Sequence, residues 1–466
     1  MKINNTRRDF IKKSVLGSLA IGTTGFAGCL GQNKDKAKEI VRPRQGKSVM
    51  GFRCDPIPTV RIGVVGLGRG SNAVYQMPRI EGASIVAICD LLPDRIERAQ
   101  KYIKEAGRPD AVVYTGDEEA WKKMCERDDI DLIYNATPWE LHVPISLYAM
   151  EHGKHTVMEV PAALTVNDCW ALVDTAEKMQ RHCMMLENCC YDFFELATFN
   201  MARHDVFGEI YHGECAYIHD LRASKVRINA HYKNWRGEYS KNHTGNPYPT
   251  HGLGPVAQIM GINRGDRLDY LTSMSTNQYG LTLYAENKFG KDSPEARAAF
   301  ILGDMNTTLV RTLNGYTIMI QHDTHSPRPY DRIHKISGTK GYATKYPDEK
   351  IALDPNSHEF LKPEEFKSLM EQYEHPLSKY IGEQARTVGG HGGMDYIMDW
   401  RLIYCLRNGL PLDQDVYDAA TWSCIVELSE QSVLNGSNAV KIPDFTRGDW
   451  KDAKPWPVID MVNVFS

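Results

Sequence analysis

The segment from residue 59 to residue 90 limits the fold of this chain more than any other feature. Residues 59–65 are mostly apolar and β-branched, which is typical of a parallel strand buried on both faces. The turn Gly66-Leu67-Gly68-Arg69-Gly70 follows, and its glycines permit a tight bend and a close approach of the backbone to a pyrophosphate. A second apolar run, residues 84–89, ends in Asp90, where a carboxylate would bind the hydroxyls of a ribose. This order of strand, glycines, helix and strand-end acid predicts a dinucleotide-binding fold.

The acid at the end of the second strand also bears on the choice of cofactor. Asp90 would repel a 2′-phosphate, so we expect NAD rather than NADP. Ser71 stands where the third glycine of the usual fingerprint would fall. The prediction therefore depends on the whole ordered set and not on the glycines alone.

Two further strands are predicted to end at the same edge of the sheet. Residues 130–136 form one apolar run, and Thr137-Pro138-Trp139-Glu140-Leu141-His142 follows at its carboxyl end, where doubly wound sheets bind their ligands. Residues 155–159 form another run, which stops at Glu159-Val160-Pro161. The alternative for this last turn is a strand that a proline ends, with no further role.

The N-terminus has the order of an export signal. Arg7 and Arg8 precede a short apolar, glycine-rich run over residues 15–27, and Gly28-Cys29 follows. The paired arginines resemble a twin-arginine signal, and Cys29 stands where a lipoprotein is cleaved and lipidated. We therefore expect a signal over residues 1–29, a linker over residues 30–58, and a lipid-anchored protein of the periplasm or cell envelope. The alternative is a basic tail on a cytosolic protein.

Composition excludes several classes of partner and site. The net charge is only −4 and no basic stripe is present, so we expect no nucleic-acid partner. Cys183, Cys189 and Cys190 lie in an apolar segment, which favours a buried strand over a metal site, and we expect no metal. Residues 315–321 alternate as in an antiparallel sheet with one covered face. Residues 415–434 have apolar residues at helical spacing and predict a helix that packs back on the body of the protein.

The turns after the predicted strands resemble a known family. Thr137-Pro138 with His142, followed by Glu159-Val160-Pro161, is similar to the glucose-fructose oxidoreductase/inositol dehydrogenase/MocA family. The resemblance implies an α/β fold, with an N-terminal Rossmann doubly wound parallel sheet over residues 59–187. A C-terminal α+β domain over residues 188–466 would be built on an open, mostly antiparallel sheet. Most dehydrogenases of that family have a catalytic lysine where this chain has Val160, which argues against a lysine-assisted alcohol dehydrogenase.

Segments farther along the chain resemble the NAD-dependent exo-glycosidases of glycoside hydrolase family 109. The resemblance extends from about residue 61 to residue 457 and includes Met185-Leu186-Glu187-Asn188-Cys189-Cys190-Tyr191, Tyr248-Pro249-Thr250-His251-Gly252-Leu253-Gly254-Pro255, Arg328-Pro329-Tyr330 and His391-Gly392-Gly393-Met394-Asp395. It implies release of a terminal α-N-acetylgalactosamine, or of a related sugar, from a glycan or glycoside. It also implies a route in which tightly bound NAD+ oxidises C3, a base removes the C2 proton, the C1 substituent is eliminated, water adds, and C3 is reduced again. The cofactor is recycled in each turnover, which suits an exported enzyme with no pool of free cofactor.

The resemblance also implies roles for single residues. Binding of NAD is implied for Gly66, Gly68, Arg69, Asp90, Trp139, Glu140, Leu141, His142, Glu159, Val160, Asn188, Arg236, Tyr248, Pro249, Thr250 and His251. Contact with the sugar is implied for Tyr217, Tyr248 and Tyr330, because a tyrosine ring packs on a pyranose face while its hydroxyl bonds the rim. His251 is the expected base, assisted by Tyr248 or Tyr191, since an imidazole titrates near neutrality. His322 and His325 are further candidates for the base, and His219 with Asp220 is a candidate pair that supports the site without touching the ligand.

Two other functions are left open by the residues. One is a sugar or inositol dehydrogenase with net hydride transfer to NAD. The other is a non-catalytic NAD- and sugar-binding lipoprotein, which need not keep Tyr248, His251 and Tyr330 together. An open-faced sheet commonly pairs with a partner, so we expect a homodimer.

Overall fold

The computed structural model describes residues 42–227 and 234–459. The predicted export signal and Cys29 lie outside these residues, as do residues 30–41 of the predicted linker. Residues 44–57, which were also expected to be linker, instead pack on the body of the protein. Arg44 Nη1 lies 3.1 Å from Glu177 Oε1, and Val49 is buried. This part of the chain is therefore anchored.

Six parallel strands form the N-terminal sheet, in the order β3-β2-β1-β4-β5-β6. They are β1 (Val60–Val65), β2 (Ala83–Cys89), β3 (Val112–Tyr114), β4 (Leu132–Asn135), β5 (His155–Met158) and β6 (Cys183–Met185). The helices along this part of the chain are α1 (Ser71–Gln76), α2 (Pro93–Glu105), α3 (Ala120–Cys125), α4 (His142–Glu151) and α5 (Val166–Met179). The order confirms the predicted doubly wound parallel sheet, in which ligands bind where the strand order reverses, between β1 and β4.

The apolar runs of the sequence account for this sheet. Side chains of β1 enter two separate cores, because successive residues of a strand point to opposite faces. Ile62 and Val64 belong to one core, and Val65 belongs to the other together with Ile133 of β4. A strand that is buried on both faces needs a continuous apolar sequence, which is what residues 59–65 have.

Eight strands form the second sheet, in the order β13-β12-β11-β7-β10-β9-β8-β14. They are β7 (Ile210–Ile218), β8 (Leu268–Ser275), β9 (Asn306–Thr312), β10 (Thr317–Asp323), β11 (Lys335–Gly338), β12 (Gly341–Thr344), β13 (Lys350–Leu353) and β14 (Val440–Lys441). Neighbouring strands are antiparallel except β7 and β10. In β10, Ile318 and Ile320 are fully buried whereas Met319 and Gln321 are only partly buried. The structure confirms a mostly antiparallel sheet with one covered face.

The remaining helices accompany this second sheet. They are α6 (Phe193–Arg203), α7 (Arg222–Lys225), α8 (Trp235–Asn242), α9 (Thr250–Ile259), α10 (Gly280–Phe289), α11 (Pro363–Gln372), α12 (Pro376–Val388), α13 (Met394–Arg407), α14 (Val416–Ser423) and α15 (Ile425–Leu434). The helix predicted over residues 415–434 is in fact two helices, α14 and α15, which meet at Cys424. Trp422 is buried in the core. Within the described residues, no helix combines the length and the apolar character that crossing a membrane requires.

Candidate active site

A cavity of about 900 Å³ lies at the carboxyl ends of the parallel strands and extends to β7, α8 and α9. Most of the residues predicted to bind cofactor or sugar line it. These are Gly66, Gly68, Arg69, Asp90, Trp139, Glu140, Leu141, His142, Glu159, Val160, Asn188, Tyr217, Arg236, Tyr248, His251 and Tyr330. The fold therefore brings together in one cavity predicted residues as far apart in the chain as Gly66 and Tyr330.

Two glycines of the turn, Gly66 and Gly70, stand where a side chain would not fit. Gly66 has a φ of +85°, and a Cβ there would lie 2.6 Å from the carbonyl oxygen of Ala136. A Cβ on Gly70 would lie 2.2 Å from the carbonyl oxygen of Gly66. Ser71, which replaces the third glycine of the fingerprint, donates from Oγ to the carbonyl of Gly68 at 2.9 Å. The serine side chain thus bonds back to the turn. The backbone N–H groups at the start of the following helix suit a pyrophosphate.

Asp90 lies directly after β2, and its carboxylate keeps a free hydrogen-bond acceptor site. Its Oδ2 accepts from Leu67 N at 2.7 Å, and its Oδ1 accepts from Leu92 N at 2.9 Å. A carboxylate oxygen can accept about two hydrogen bonds, so Oδ1 can also accept one from a ribose hydroxyl. Arg95 Nη1 lies 3.5 Å from Oδ2. The donor and acceptor set at this end of the cavity fits the adenosine half of NAD.

The residues after β4 and β5 are tied to each other. Trp139 Nε1 donates to the carbonyl of Val160 at 3.1 Å. The ring nitrogens of His142 lie 2.8 Å from the carbonyl of Pro161 and 3.0 Å from that of Thr137. Burial lowers the pKa of His142 to about 4, so its ring is neutral and donates to one carbonyl at a time. His142 therefore fixes the shape of the cavity wall and is not a proton donor to a ligand.

Buried charges surround the middle of the cavity. Burial raises the pKa of Glu159, and the nearby Arg69 opposes that rise. Asp395 Oδ1 accepts from Asn188 Nδ2 at 2.5 Å, and its Oδ2 lies 2.8 Å from His391 Nδ1. Burial would raise the pKa of Asp395, but His391 and these hydrogen bonds hold it below its usual value. This part of the wall is polar and preorganised, as the nicotinamide half of a dinucleotide requires.

Aromatic rings form the end of the cavity nearest the second sheet. The ring of Tyr217 lies 4.6 Å from that of Tyr248, 5.5 Å from that of His251 and 6.0 Å from that of Tyr330, measured between centroids. The guanidinium of Arg236 lies 5.4 Å from the ring centroid of Tyr248. Burial raises the pKa of each of these three tyrosines, so their hydroxyls stay protonated and can donate. Such a set suits a sugar, whose hydroxyls accept while its carbon face packs on a ring.

His251 makes a short polar contact at this end. Its Nδ1 lies 2.7 Å from Glu187 Oε1, and Glu187 is completely buried. Among the described residues, this contact at Nδ1 is the one hydrogen bond that the ring makes. The predicted base is thus present in the cavity with one ring nitrogen engaged and the other available.

Three predicted residues do not line the cavity. Tyr191 is buried, and its hydroxyl lies 3.4 Å from Asp413 Oδ2, so its role as an assistant to the base is not supported. Pro249 and Thr250 begin α9 behind His251 and support the histidine instead of facing the cavity.

The other candidate histidines lie in two different places, one of them in the cavity and two outside its lining. His322 and His325 are buried outside the cavity lining, and Lys225 Nζ lies 3.1 Å from His325 Nε2. His219 does line the cavity, but the carboxylate of Asp220 accepts from Arg222 at 2.9 and 2.8 Å. The expected pair of His219 and Asp220 is therefore not formed.

Several lining or supporting residues were missed by the predictions. They are Glu187, Asp192, Arg332, Tyr346 and His391. Glu187 and His391 lie within the segments that resemble glycoside hydrolase family 109, so the resemblance could have indicated both residues. Glu187, Cys189 and His251 also form the one group of described residues with the spacing of a metal site. The guanidinium of Arg332 lies 3.0 Å from Cys189 Sγ and opposes a cation there.

Comparison with known proteins places this architecture in a family. Residues 191–452 match the family model for the C-terminal domain of glycosyl hydrolase 109, and residues 60–187 match that for an oxidoreductase family with an NAD-binding Rossmann fold. A Bacteroides fragilis protein named alpha-N-acetylgalactosaminidase is 55% identical over 407 residues, which are 86% of this chain and 96% of the relative. A Shewanella protein named as a family 109 glycosyl hydrolase is 46% identical over 462 residues, 98% of this chain and 99% of the relative.

Solved structures at low sequence identity share the fold. A levoglucosan dehydrogenase in complex with NADH and L-sorbose has a TM-score of 0.61 at 17% identity, covering 83% of this chain and 100% of that one. A scyllo-inositol dehydrogenase from Lactobacillus casei has a TM-score of 0.57 at 14% identity, covering 83% and 99%. The chain is thus a glycoside hydrolase with an NAD-binding Rossmann domain, and it belongs to glycoside hydrolase family 109.

Proposed function

We propose that the protein is an exported exo-glycosidase that releases terminal α-N-acetylgalactosamine, or a closely related sugar, and holds NAD tightly throughout. One observation carries the proposal: a single cavity is lined both by the dinucleotide-binding residues, such as Gly68 and Asp90, and by His251 with its tyrosines. The name of the Bacteroides fragilis relative supports the choice of sugar.

The chemistry would proceed without net redox change. When bound in this cavity, NAD+ supplies an acceptor for the hydride of the sugar's C3 and returns that hydride to the same carbon. With a ketone at C3, the C2 proton becomes acidic, and His251 Nε2 would accept it while the C1–O bond breaks. Water then adds its oxygen to C1 and its proton passes to the oxygen of the departed aglycone. The imidazolium, whose Nε2–H exchanges with solvent, gives a proton to C2. The sum is addition of one water molecule across the glycosidic bond.

The other residues would bind and orient the sugar. The protonated hydroxyls of Tyr248 and Tyr330 can donate to sugar oxygens, and the ring of Tyr217 can pack on a pyranose face. Val160 lines the cavity where related dehydrogenases have lysine, and it is 2% exposed. The proton transfers therefore fall to His251, which favours elimination over simple alcohol oxidation.

Release of a chromogenic aglycone without added cofactor tests this proposal. Signal-free protein would be incubated in D2O with nitrophenyl α- and β-glycosides, including the α-N-acetylgalactosaminide. We expect aglycone release, deuterium at C2 of the freed sugar, and no accumulation of reduced cofactor. His251→Asn should retain NAD and lose both signals. Release without C2 deuterium would count against elimination, and accumulation of NADH with a free sugar would favour a dehydrogenase.

The location of the protein is a separate part of the proposal. The order of Arg7-Arg8, apolar run and Cys29 supports twin-arginine export and a lipid anchor in the cell envelope. We expect Arg7→Lys combined with Arg8→Lys to leave the full-length protein in the cytoplasm, and Cys29→Ser to abolish labelling by a palmitate analogue. Fractionation with a cytosolic and a periplasmic marker measures both. Unchanged fractionation of the double variant would contradict twin-arginine export.

We also propose a homodimer through the uncovered face of the second sheet. Met274 of β8 is 66% exposed and Leu309 of β9 is 52% exposed on this sheet. Apolar side chains on a broad sheet face commonly mark a contact surface. Light scattering of the signal-free protein should give twice the mass of the chain, and a monomeric mass would contradict this.

A further inference from the structure

We propose that Glu187 is the positioning residue for His251, and that its carboxylate makes Nε2 the atom that takes and returns the C2 proton. The inference rests on the proposed function and names a residue to which no role has been assigned. Glu187 follows β6 and is completely buried. Its Oε1 lies 2.7 Å from His251 Nδ1, a charge-assisted distance.

The carboxylate is itself held in place. Cys189 N donates to Glu187 Oε1 at 3.2 Å, and Gln414 Nε2 donates to the backbone carbonyl of Glu187 at 3.1 Å. Rotation of the carboxylate would break the hydrogen bond from Cys189 N and the contact with His251, and Gln414 fixes the backbone of Glu187. Because the acceptor is fixed, the imidazole is held in the tautomer that carries its proton on Nδ1.

Glycines in α9 allow the histidine to reach the carboxylate. A Cβ on Gly254 would lie 2.7 Å from Glu187 Cγ, and a Cβ on Gly252 would lie 2.5 Å from Ala216 N. The first turns of α9 thus lie closer to β6 and β7 than a helix with side chains at these positions could. The two glycines of the segment from Tyr248 to Pro255 serve the packing of the helix that carries His251.

The electrostatics of the pair favour an ionised carboxylate. Burial alone would raise the pKa of Glu187, but the charge and the N–H of His251 outweigh burial and hold it below its usual value. The neighbouring titratable groups are the thiols of Cys189 and Cys190 and the phenols of Tyr217 and Tyr248, whose pKa values burial raises. The nearby fixed charges are Arg332, which lies beside Cys189, and Arg236, which lies beside Tyr248. Within this group, Glu187 is the counter-ion in direct contact with His251.

These contacts define the proton transfer. When the C2–H bond breaks, its electrons form the C1–C2 double bond, the C1–O electron pair leaves with the aglycone, and a new N–H bond forms at Nε2. The imidazolium is then stabilised by the carboxylate at Nδ1, as in a catalytic triad. When water adds to C1, its proton passes to the aglycone oxygen; the Nε2–H bond then breaks and a proton is delivered to C2. Glu187 touches neither sugar nor cofactor in this scheme, so it acts through His251.

Glu187→Gln tests the role, with Glu177→Gln as a matched control. Glu177 is another completely buried glutamate, but it pairs with Arg44 and Arg447 away from the cavity. We expect Glu187→Gln to retain NAD and to lower kcat about 100-fold, since a neutral amide cannot stabilise the imidazolium. The pH profile of its kcat/KM should differ from that of the wild type, because the buried negative charge in contact with the base is removed. Glu187→Asp should recover part of the activity.

A merely structural role would give a different pattern. Glu187→Gln and Glu177→Gln would then both lose stability, while the pH profile and the rate of C2 deuterium incorporation per folded enzyme would stay those of the wild type. That result would overturn the proposal. Failure of the proposed function itself is distinguishable, because the wild-type protein would then show no aglycone release or no C2 deuterium.

A measurement on the wild type covers the case in which Glu187→Gln does not fold. Nitrogen-15 NMR of histidine-labelled protein, assigned through His251→Asn, reports which ring nitrogen carries the proton. We expect neutral His251 to be protonated at Nδ1 and bare at Nε2. A proton on Nε2 with bare Nδ1 would overturn the proposal.

Discussion

Arg69 Nη2 lies 3.0 Å from Nε2 of His391. Arg69 belongs to the glycine turn after β1, and His391 precedes α13, so the contact joins two sides of the cavity wall. The other nitrogen of the ring, Nδ1, lies 2.8 Å from Asp395, which in turn accepts from Asn188. The glycines on both sides of His391 have positive φ angles, which few other residues adopt. This bridge encloses the part of the cavity that fits the middle of the dinucleotide.

Loss of the bridge should loosen the cofactor. We expect His391→Ala to release NAD about ten times faster than the wild type, since a hydrogen bond to a charged group contributes roughly 1.5–3 kcal/mol. The NAD that remains after timed dialysis, assayed after denaturation, measures the rate. His358→Ala is the control, because His358 is exposed and lies outside the cavity lining. Equal retention in both variants would show that His391 does not hold the cofactor.

The packing of α9 gives a second prediction. Gly254→Ala should lower both activity and the melting temperature, because its Cβ would lie 2.7 Å from Glu187 Cγ and 3.1 Å from Trp422. Overpacking of this kind costs about 1–3 kcal/mol, more than the roughly 1 kcal/mol that alanine gains over glycine inside a helix. Thermal unfolding and turnover would be measured together. In Gly436→Ala the new Cβ meets no atom within 4 Å, so only backbone strain is added and activity should be kept. A stabilised, fully active Gly254→Ala would contradict the close packing.

The cofactor half of the site could be predicted because it is local in sequence. The strand, the glycine turn and Asp90 lie within about thirty residues. The residue types alone indicate what each of them does: an apolar strand is buried, glycines permit the tight turn, and a carboxylate at the strand end binds a ribose. The contact of His251 with Glu187 joins residues 64 apart and depends on how α9 packs, so no spacing rule could reveal it. Tyr191 shows the same limit. It ends a single 3-10 turn, Asn188–Tyr191, that places Asn188 in the cavity and turns the tyrosine hydroxyl toward Asp413.

Tyr330 should contribute to binding of the sugar more than to the chemistry. Tyr330 lines the cavity, and burial raises the pKa of its phenol, so it can donate to a sugar oxygen. We expect Tyr330→Phe to raise KM about three- to tenfold with little change in kcat, since one hydrogen bond contributes about 0.5–1.5 kcal/mol. Initial rates on the nitrophenyl α-N-acetylgalactosaminide measure both constants. Tyr211→Phe, at an exposed position on β7, should change neither. A fall in kcat alone would instead assign Tyr330 to the transition state.

A buried lysine should give the stability of the protein an unusual pH dependence. Lys225 Nζ lies 2.6 Å from Thr324 Oγ1 and 3.1 Å from His325 Nε2, and the residue is 6% exposed. Burial, helped by the charge of Arg236, lowers the pKa of Lys225 to about 7. Burial also lowers the pKa values of His322 and His325, so these neighbours remain neutral above pH 6.

The sign of the effect follows from the two states of the lysine. In the unfolded chain a lysine keeps a pKa of about 10.4, so between pH 7 and that value the unfolded state binds more protons than the folded state. The free energy of unfolding should therefore rise with pH over this window as the cost of burying the charge disappears. We expect the wild type to gain on the order of 2 kcal/mol between pH 7 and pH 9 relative to Lys225→Met. Urea denaturation at pH 7, 8 and 9 measures the difference, with the exposed Lys104→Met as control. If the stabilities of wild type and Lys225→Met change in parallel with pH, then Lys225 is charged in the folded protein throughout this range.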